Sequence, residues 1–198
     1  MINDLVVSSS AEMDTRRWVE RVVIGLNLCP FAKSVHNKGQ IHYAVTLADD
    51  AAGLLADLAA ELEALAAFDA EQRSTTLLVA PLAFCDFLDF NDFLAMAEAL
   101  VAAMKLDGIL QIASFHPLFQ FAGTSPDDIT NATNRSPHPT LHLLREASID
   151  AAIEAFPGTE SIYLRNIETL KSLGREGFTK LATGPSLQPS ARAAGESK

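Results

Sequence analysis

Apolar residues fall along this chain in two rhythms, helical spacing and short unbroken runs. Trp18, Val19, Val22, Val23 and Leu26 recur every three to four positions and form one stripe of a helix. Ser9 followed by Glu12 fits a capping box that opens this helix, which leaves residues 1–10 as a loose arm. Pro30 stops it, because the residue before a proline is pushed out of the helical region. Residues 41–47, IHYAVTL, are rich in β-branched and aromatic side chains and predict a strand. A second helix follows, capped by Asp49 or Asp50, with Leu54, Leu55, Leu58, Leu62 and Leu65 on its buried face. TTLLVA at 75–80 predicts a buried strand that Pro81 ends. Asp89 can cap a third helix carrying Phe93, Leu94, Ala97, Leu100, Val101 and Met104, with Gly108 as its C′ residue. ILQIASF at 109–115 predicts a third strand.

This alternation predicts an α/β fold in residues 11–174, a single domain built on a β-α-β-α-β core. Helical crossovers favour parallel strand pairing, and the apolar strands suit a small three- to four-stranded sheet covered on both faces. A ferredoxin-like α+β arrangement is the alternative, with an extra strand in 31–42 or in the loop after the third strand. That loop spans His116 to Pro139 without periodicity; loops this long are uncommon in compact domains. Phe119, Phe121 and a dense polar cluster predict that it is ordered. A helix with Leu141, Leu144, Ala147, Ala151 and Phe156 near one side comes next, and another runs from about Thr159 to Leu173–Gly174. Residues 175–198 lose the apolar pattern and read as a disordered tail.

Charge narrows the function classes. Fifteen basic and 25 acidic residues give a net charge of −10. With no Lys/Arg cluster, nucleic acid is not an expected partner, and an anionic membrane surface is not one either. No apolar run approaches a bilayer span, and the first residues lack the pattern of a secretion signal. Cys29 and Cys85 make no disulfide framework, which points to reduced thiols in a cytoplasm. Oligomeric state and cofactor are left open.

Three groups could carry chemistry. Cys29 precedes Pro30; as the N-cap of a new short helix beginning at Pro30, its thiolate would be favoured by backbone N–H groups and by Lys33 one turn on. The bland alternative is a small buried apolar residue. His116 leaves the third strand directly, where α/β sheets bind ligands, and is placed for general acid–base work unless it merely holds the loop. Arg135 offers a planar fork for a carboxylate or phosphate, with Asn134 and Ser136 as neutral donors beside it; a capping network is the competing reading. His142 is a supporting residue facing the loop. His138 and His142 stand four apart, but Pro139 makes His138 a cap and spoils a metal pair, so no metal site is expected. Dinucleotide-binding, P-loop and hydrolase-elbow motifs are absent.

Several strings together resemble one bacterial family. They are Trp18 to Ala32 (WVERVVIGLNLCPFA), Ile109 to Pro117 (ILQIASFHP), Asn134-Arg135-Ser136-Pro137 with Leu141 to Ala147 (LHLLREA), and Arg165-Asn166-Ile167. The family is domain-of-unknown-function family 1415, and the resemblance covers roughly residues 14–174. It implies no activity. The residues themselves predict a small-molecule enzyme doing group transfer or hydrolysis on an anionic metabolite. His116 would move protons, Cys29 act as nucleophile or as a polar wall, and Arg135, Asn134, Ser136 and His142 bind substrate. A non-catalytic ligand- or metal-binding module is the alternative.

Overall fold

The computed structural model describes residues 2–155, 161–181 and 183–186. Helix α1 (Ile2–Trp18) runs on into a π-helical segment (Val19–Ile24), and a turn leads to a short α2 (Ala32–Asn37). Next come β1 (Ile41–Val45), α3 (Ala51–Ala67), β2 (Thr75–Val79), α4 (Phe87–Ala103) and β3 (Leu110–Phe115). A 3-10 segment (Ile129–Asn134) interrupts the loop before β4 (Thr140–Arg145), which passes straight into α5 (Glu146–Ala155); α6 (Ile162–Thr179) follows.

The strands form one mixed sheet in the order β1-β2-β4-β3. β1 and β2 are parallel, with Ile41 opposite Thr75 and Val45 opposite Val79, and α3 makes the crossover between them. β4 is antiparallel to both neighbours, β2 and β3. The fold is therefore α/β with four strands, and the β-α-β-α-β core is where the apolar runs put it. The fourth strand lies neither in 31–42 nor in the loop but at 140–145, where the spacing of Leu141 and Leu144 predicts a helix. Both crossover helices precede the antiparallel pair, which is not the βαββαβ order of a ferredoxin-like fold.

Strand alternation sorts the side chains onto two faces. Leu78, Leu110, Ile112, Leu141 and Leu143 point toward α3 and α4 and pack with Leu54, Leu58, Leu62, Leu65, Phe90, Phe93 and Ala97. The two helices are fixed at their starts by aspartates. Asp50 accepts from the Gly53 amide at 2.7 Å, and Asp86, rather than Asp89, accepts from the Leu88 and Asp89 amides. α4 ends at Ala103, capped by Met104, and Lys105 (φ 58°) rather than Gly108 is the left-handed residue next to the cap; Gly108 (φ 74°) turns the chain again just before β3. On the other face Tyr43, Leu77 and Phe115 meet Trp18, Val19, Val22 and Leu28.

At the chain ends the structure differs from the sequence pattern. Helix α1 already begins at Ile2, so Ser9 lies inside it rather than at its cap and residues 2–10 are no loose arm. At the other end, the predicted stop at Gly174 is a kink (φ 66°, ψ 175°), beyond which α6 continues to Thr179. Most of the expected disordered tail, together with Phe156 and Thr159, lies outside the described residues. Among the described residues no helix is long and apolar enough to cross a membrane.

Candidate functional site

Below the second face of the sheet lies a partly enclosed cavity of about 380 Å³. Its floor is made by strand positions Ile41, Thr75, Leu77, Phe115, His142 and Leu144. The π-helical segment contributes Val19 and Val23, the following turn Cys29 and Phe31, and α5 Ser148, Ile149 and Ala152. The volume falls in the range of small-molecule sites, and the lining has their usual character, apolar walls with a few polar groups. The gap has a local cause. Above this face the end of α1, carrying Trp18, gives way to the π-helical segment, a turn and a six-residue helix, with α5 beside them, so the cover changes element several times along the strands.

His142 is the polar centre of the floor. Thr75 donates its hydroxyl hydrogen to the Leu143 carbonyl at 2.6 Å, and the same oxygen lies 2.8 Å from His142 Nε2. A hydroxyl has one hydrogen, so Thr75 must accept from an Nε2–H. That fixes the tautomer and leaves Nδ1 as a lone-pair acceptor, with no protein partner among the described residues. The ring sits deep in the protein, and the surface it retains belongs to the cavity it lines; burial pushes its pKa down to about 4. The imidazole is neutral at physiological pH. Trp18, which packs edge-on against Phe115 at 5.1 Å, also lines the cavity, and its buried indole N–H has no partner among the described residues. Arg145 lines the cavity too, but its guanidinium donates to the carbonyls of Leu65, Phe68 and Arg73 and ties down the end of α3.

The structure does not gather the sequence-derived candidates in one place. Cys29 and His142 line the cavity. The N-cap of α2 is Phe31, not Cys29, and that helix has only six residues. His116 is fully buried among Phe87 and Phe90, away from the cavity lining. Leu118 N–H donates to its Nδ1 at 3.0 Å, so Nε2 carries the hydrogen and donates to the Phe84 carbonyl at 2.9 Å. Both nitrogens are engaged by backbone, and burial lowers the pKa, so the ring is neutral and holds the loop. Arg135 donates to the carbonyls of Phe119 and Pro126 at 3.1 and 2.7 Å. The Asn134 side-chain amide donates to the Ser114 carbonyl and the Ser136 hydroxyl to the His138 carbonyl, again side chain to backbone. Arg135 does border a shallow cleft with Arg175, where Arg175 pairs with Asp127.

His138 stands before β4 rather than on a helix with His142. Its Nε2 lies 3.3 Å from Asp14, a fully buried carboxylate on α1 that also accepts from Ser186. Burial alone would raise the Asp14 carboxyl, but hydrogen bonds from Ser186 and His138 outweigh it and hold it below its ordinary value. Among the described residues no group of three or more His, Cys, Asp or Glu is placed to hold a metal.

Residues 10–180 match the model of the family described as "Protein of unknown function (DUF1415)". The chain belongs to that family. The match spans the sheet, the cavity and the loop, so the site described above is part of the family domain and not an appendage to it. No curated protein and no solved structure matches the chain.

Sequence reasoning missed Trp18, Thr75 and Gln111 as site residues. The signal was present in part: Thr75 and Gln111 are polar positions within apolar strands. Their facing could be known only once β4 was recognised as a strand, because its Thr75–Leu144 and Gln111–Leu144 pairings set the register.

Proposed function

We propose that this chain is a non-catalytic binding module for a small, largely apolar molecule, held in the cavity between the sheet and the π-helical segment. One observation carries the reading: a cavity of about 380 Å³ whose lining is mostly aliphatic and aromatic, with His142 and Thr75 as an internal polar pair. The groups expected to hold an anion, Arg135, Asn134 and Ser136, are bonded to backbone carbonyls instead. Cys29 and Cys85 are both free thiols, which supports a cytoplasmic location. The test is titration with the uncharged fluorescent probe N-phenylnaphthylamine. Binding should be saturable in the native chain and should be lost in Ala152→Phe, which puts a ring into the cavity, with the thermal unfolding midpoint showing that the variant still folds. Equal probe binding in both proteins overturns the proposal.

An enzymatic reading has one foothold. The Cys29 thiol and the neutral His142 imidazole line the same cavity, so a nucleophile and base would come from that pair rather than from Cys29 with His116. Alkylation of Cys29 by iodoacetamide should then be abnormally fast and should slow in His142→Phe; an ordinary rate in both leaves the binding module as the function.

A further inference from the structure

We infer that the cavity takes an uncharged ligand, apolar over most of its surface, that carries a hydroxyl or amide N–H which donates to His142 Nδ1. This rests on the binding-module reading and names the chemistry of its ligand. The cavity walls hold no carboxylate to balance a cation. Their one charged residue, Arg145, already donates to three backbone carbonyls, so an incoming carboxylate or phosphate would be buried without a free donor fork. Besides the Thr75–His142 pair, the polar side chains at the walls are Gln111, Ser74, Ser148 and Cys29, all uncharged or free of a fixed charge partner, and the pair itself offers one buried acceptor. The acceptor is Nδ1, because the Thr75 hydroxyl is committed to the Leu143 carbonyl and holds the imidazole hydrogen on Nε2. Buried polar groups in folded proteins are nearly always paired, and a ligand carrying one donor would complete this acceptor. An anionic oxygen would instead face the Nδ1 lone pair.

Trp18 is the only tryptophan in the sequence, so its emission reports on the cavity. The intact chain is titrated near neutral pH with octanol, octyl methyl ether and octanoate. These share one apolar chain and differ in having a donor, no donor, or a charge. Octanol should bind about tenfold more tightly than the other two, the worth of one buried hydrogen bond. In His142→Phe octanol should fall to the level of the ether while the ether is unchanged. Thr75→Val releases the tautomer and should narrow the octanol–ether gap, a second readout if the Phe variant folds poorly. Equal binding of octanol and ether by the native chain, or tightest binding of octanoate, overturns this inference and leaves the cavity reading standing. Binding of none of the three, together with failure to bind N-phenylnaphthylamine, overturns both.

Discussion

On the face of the sheet covered by α3 and α4, Leu54, Leu58, Leu62, Leu65 and Phe90 are wholly buried and pack with Leu78, Leu141 and Leu143 in one continuous cluster. On the opposite face the strands present Thr75, Gln111 and His142 among their apolar residues, and the elements above them leave about 380 Å³ free. The two faces belong to the same four strands. The difference arises from the covers: two 17-residue helices with unbroken Leu and Phe stripes on one side; on the other, only the end of α1 at Trp18, then a π-helical segment, a turn and a six-residue helix, with α5 beside them. A sheet is finished by what packs on it. Where the cover is regular the strand residues become core, and where it is broken the same strands become the floor of a site.

The largest expected effect separates the two faces by stability. Leu58→Ala should cost about 3–4 kcal/mol, a fully buried leucine deleted from a close-packed layer. Leu144→Ala, on the cavity floor, should cost about 1 kcal/mol, since its side chain already borders empty space. Urea unfolding measures both, and equal costs would erase the contrast between the faces. A somewhat smaller effect comes with acid. His142 titrates near 4 in the folded chain and near 6.5 when unfolded, so between these values the unfolded state binds more protons. Stability should therefore fall as pH drops from about 6.5 toward 4, by up to about 3 kcal/mol from this residue alone. His142→Leu should flatten that part of the profile; His116 and His138, also lowered by burial, leave the remaining slope. The smallest effect is Thr75→Val. It keeps the shape, strands the His142 Nε2–H without an acceptor, and should cost about 1–2 kcal/mol. A change of Thr75 that left both stability and the acid slope untouched would mean that the tautomer is not held as described.

Much of this layout was legible in the chain. The leucine stripe of α3, the Phe and Ala stripe of α4 and the runs at 41–45, 75–79 and 110–115 carry their own periods. The strand at 140–145 was not legible, for a specific reason. Leu141 and Leu144 stand three apart and imitate a helical face, whereas in the sheet Leu141 packs into the closed core and Leu144 lines the cavity on the other side. The helix that follows without a break, α5, extends the imitation. His116 stood out because it leaves a strand end, and that position is real. What the sequence could not reveal is that Leu118 N–H and Phe84 O occupy its two nitrogens, since Phe84 is 32 positions away. Cys29 and His142 were visible as chemistry-bearing residues, but only folding shows that they share a cavity while Arg135 serves the loop.

The π-helical segment joins amide to carbonyl five residues back, Gly25 to Glu20 and Leu28 to Val23. A Cβ on Gly25 would collide with the Arg21 carbonyl oxygen, so the end of this widened coil tolerates nothing larger than hydrogen. Removing one residue between 19 and 24 would return the coil to ordinary winding with little change in where the Cys29–Pro30 corner points, because the widened turn uses one residue more to go the same way round. What the extra residue does change is girth: the bulged turn brings Val19 and Val23 out to the edge of the hollow, and a coil without it would carry those side chains differently while leaving the corner in place.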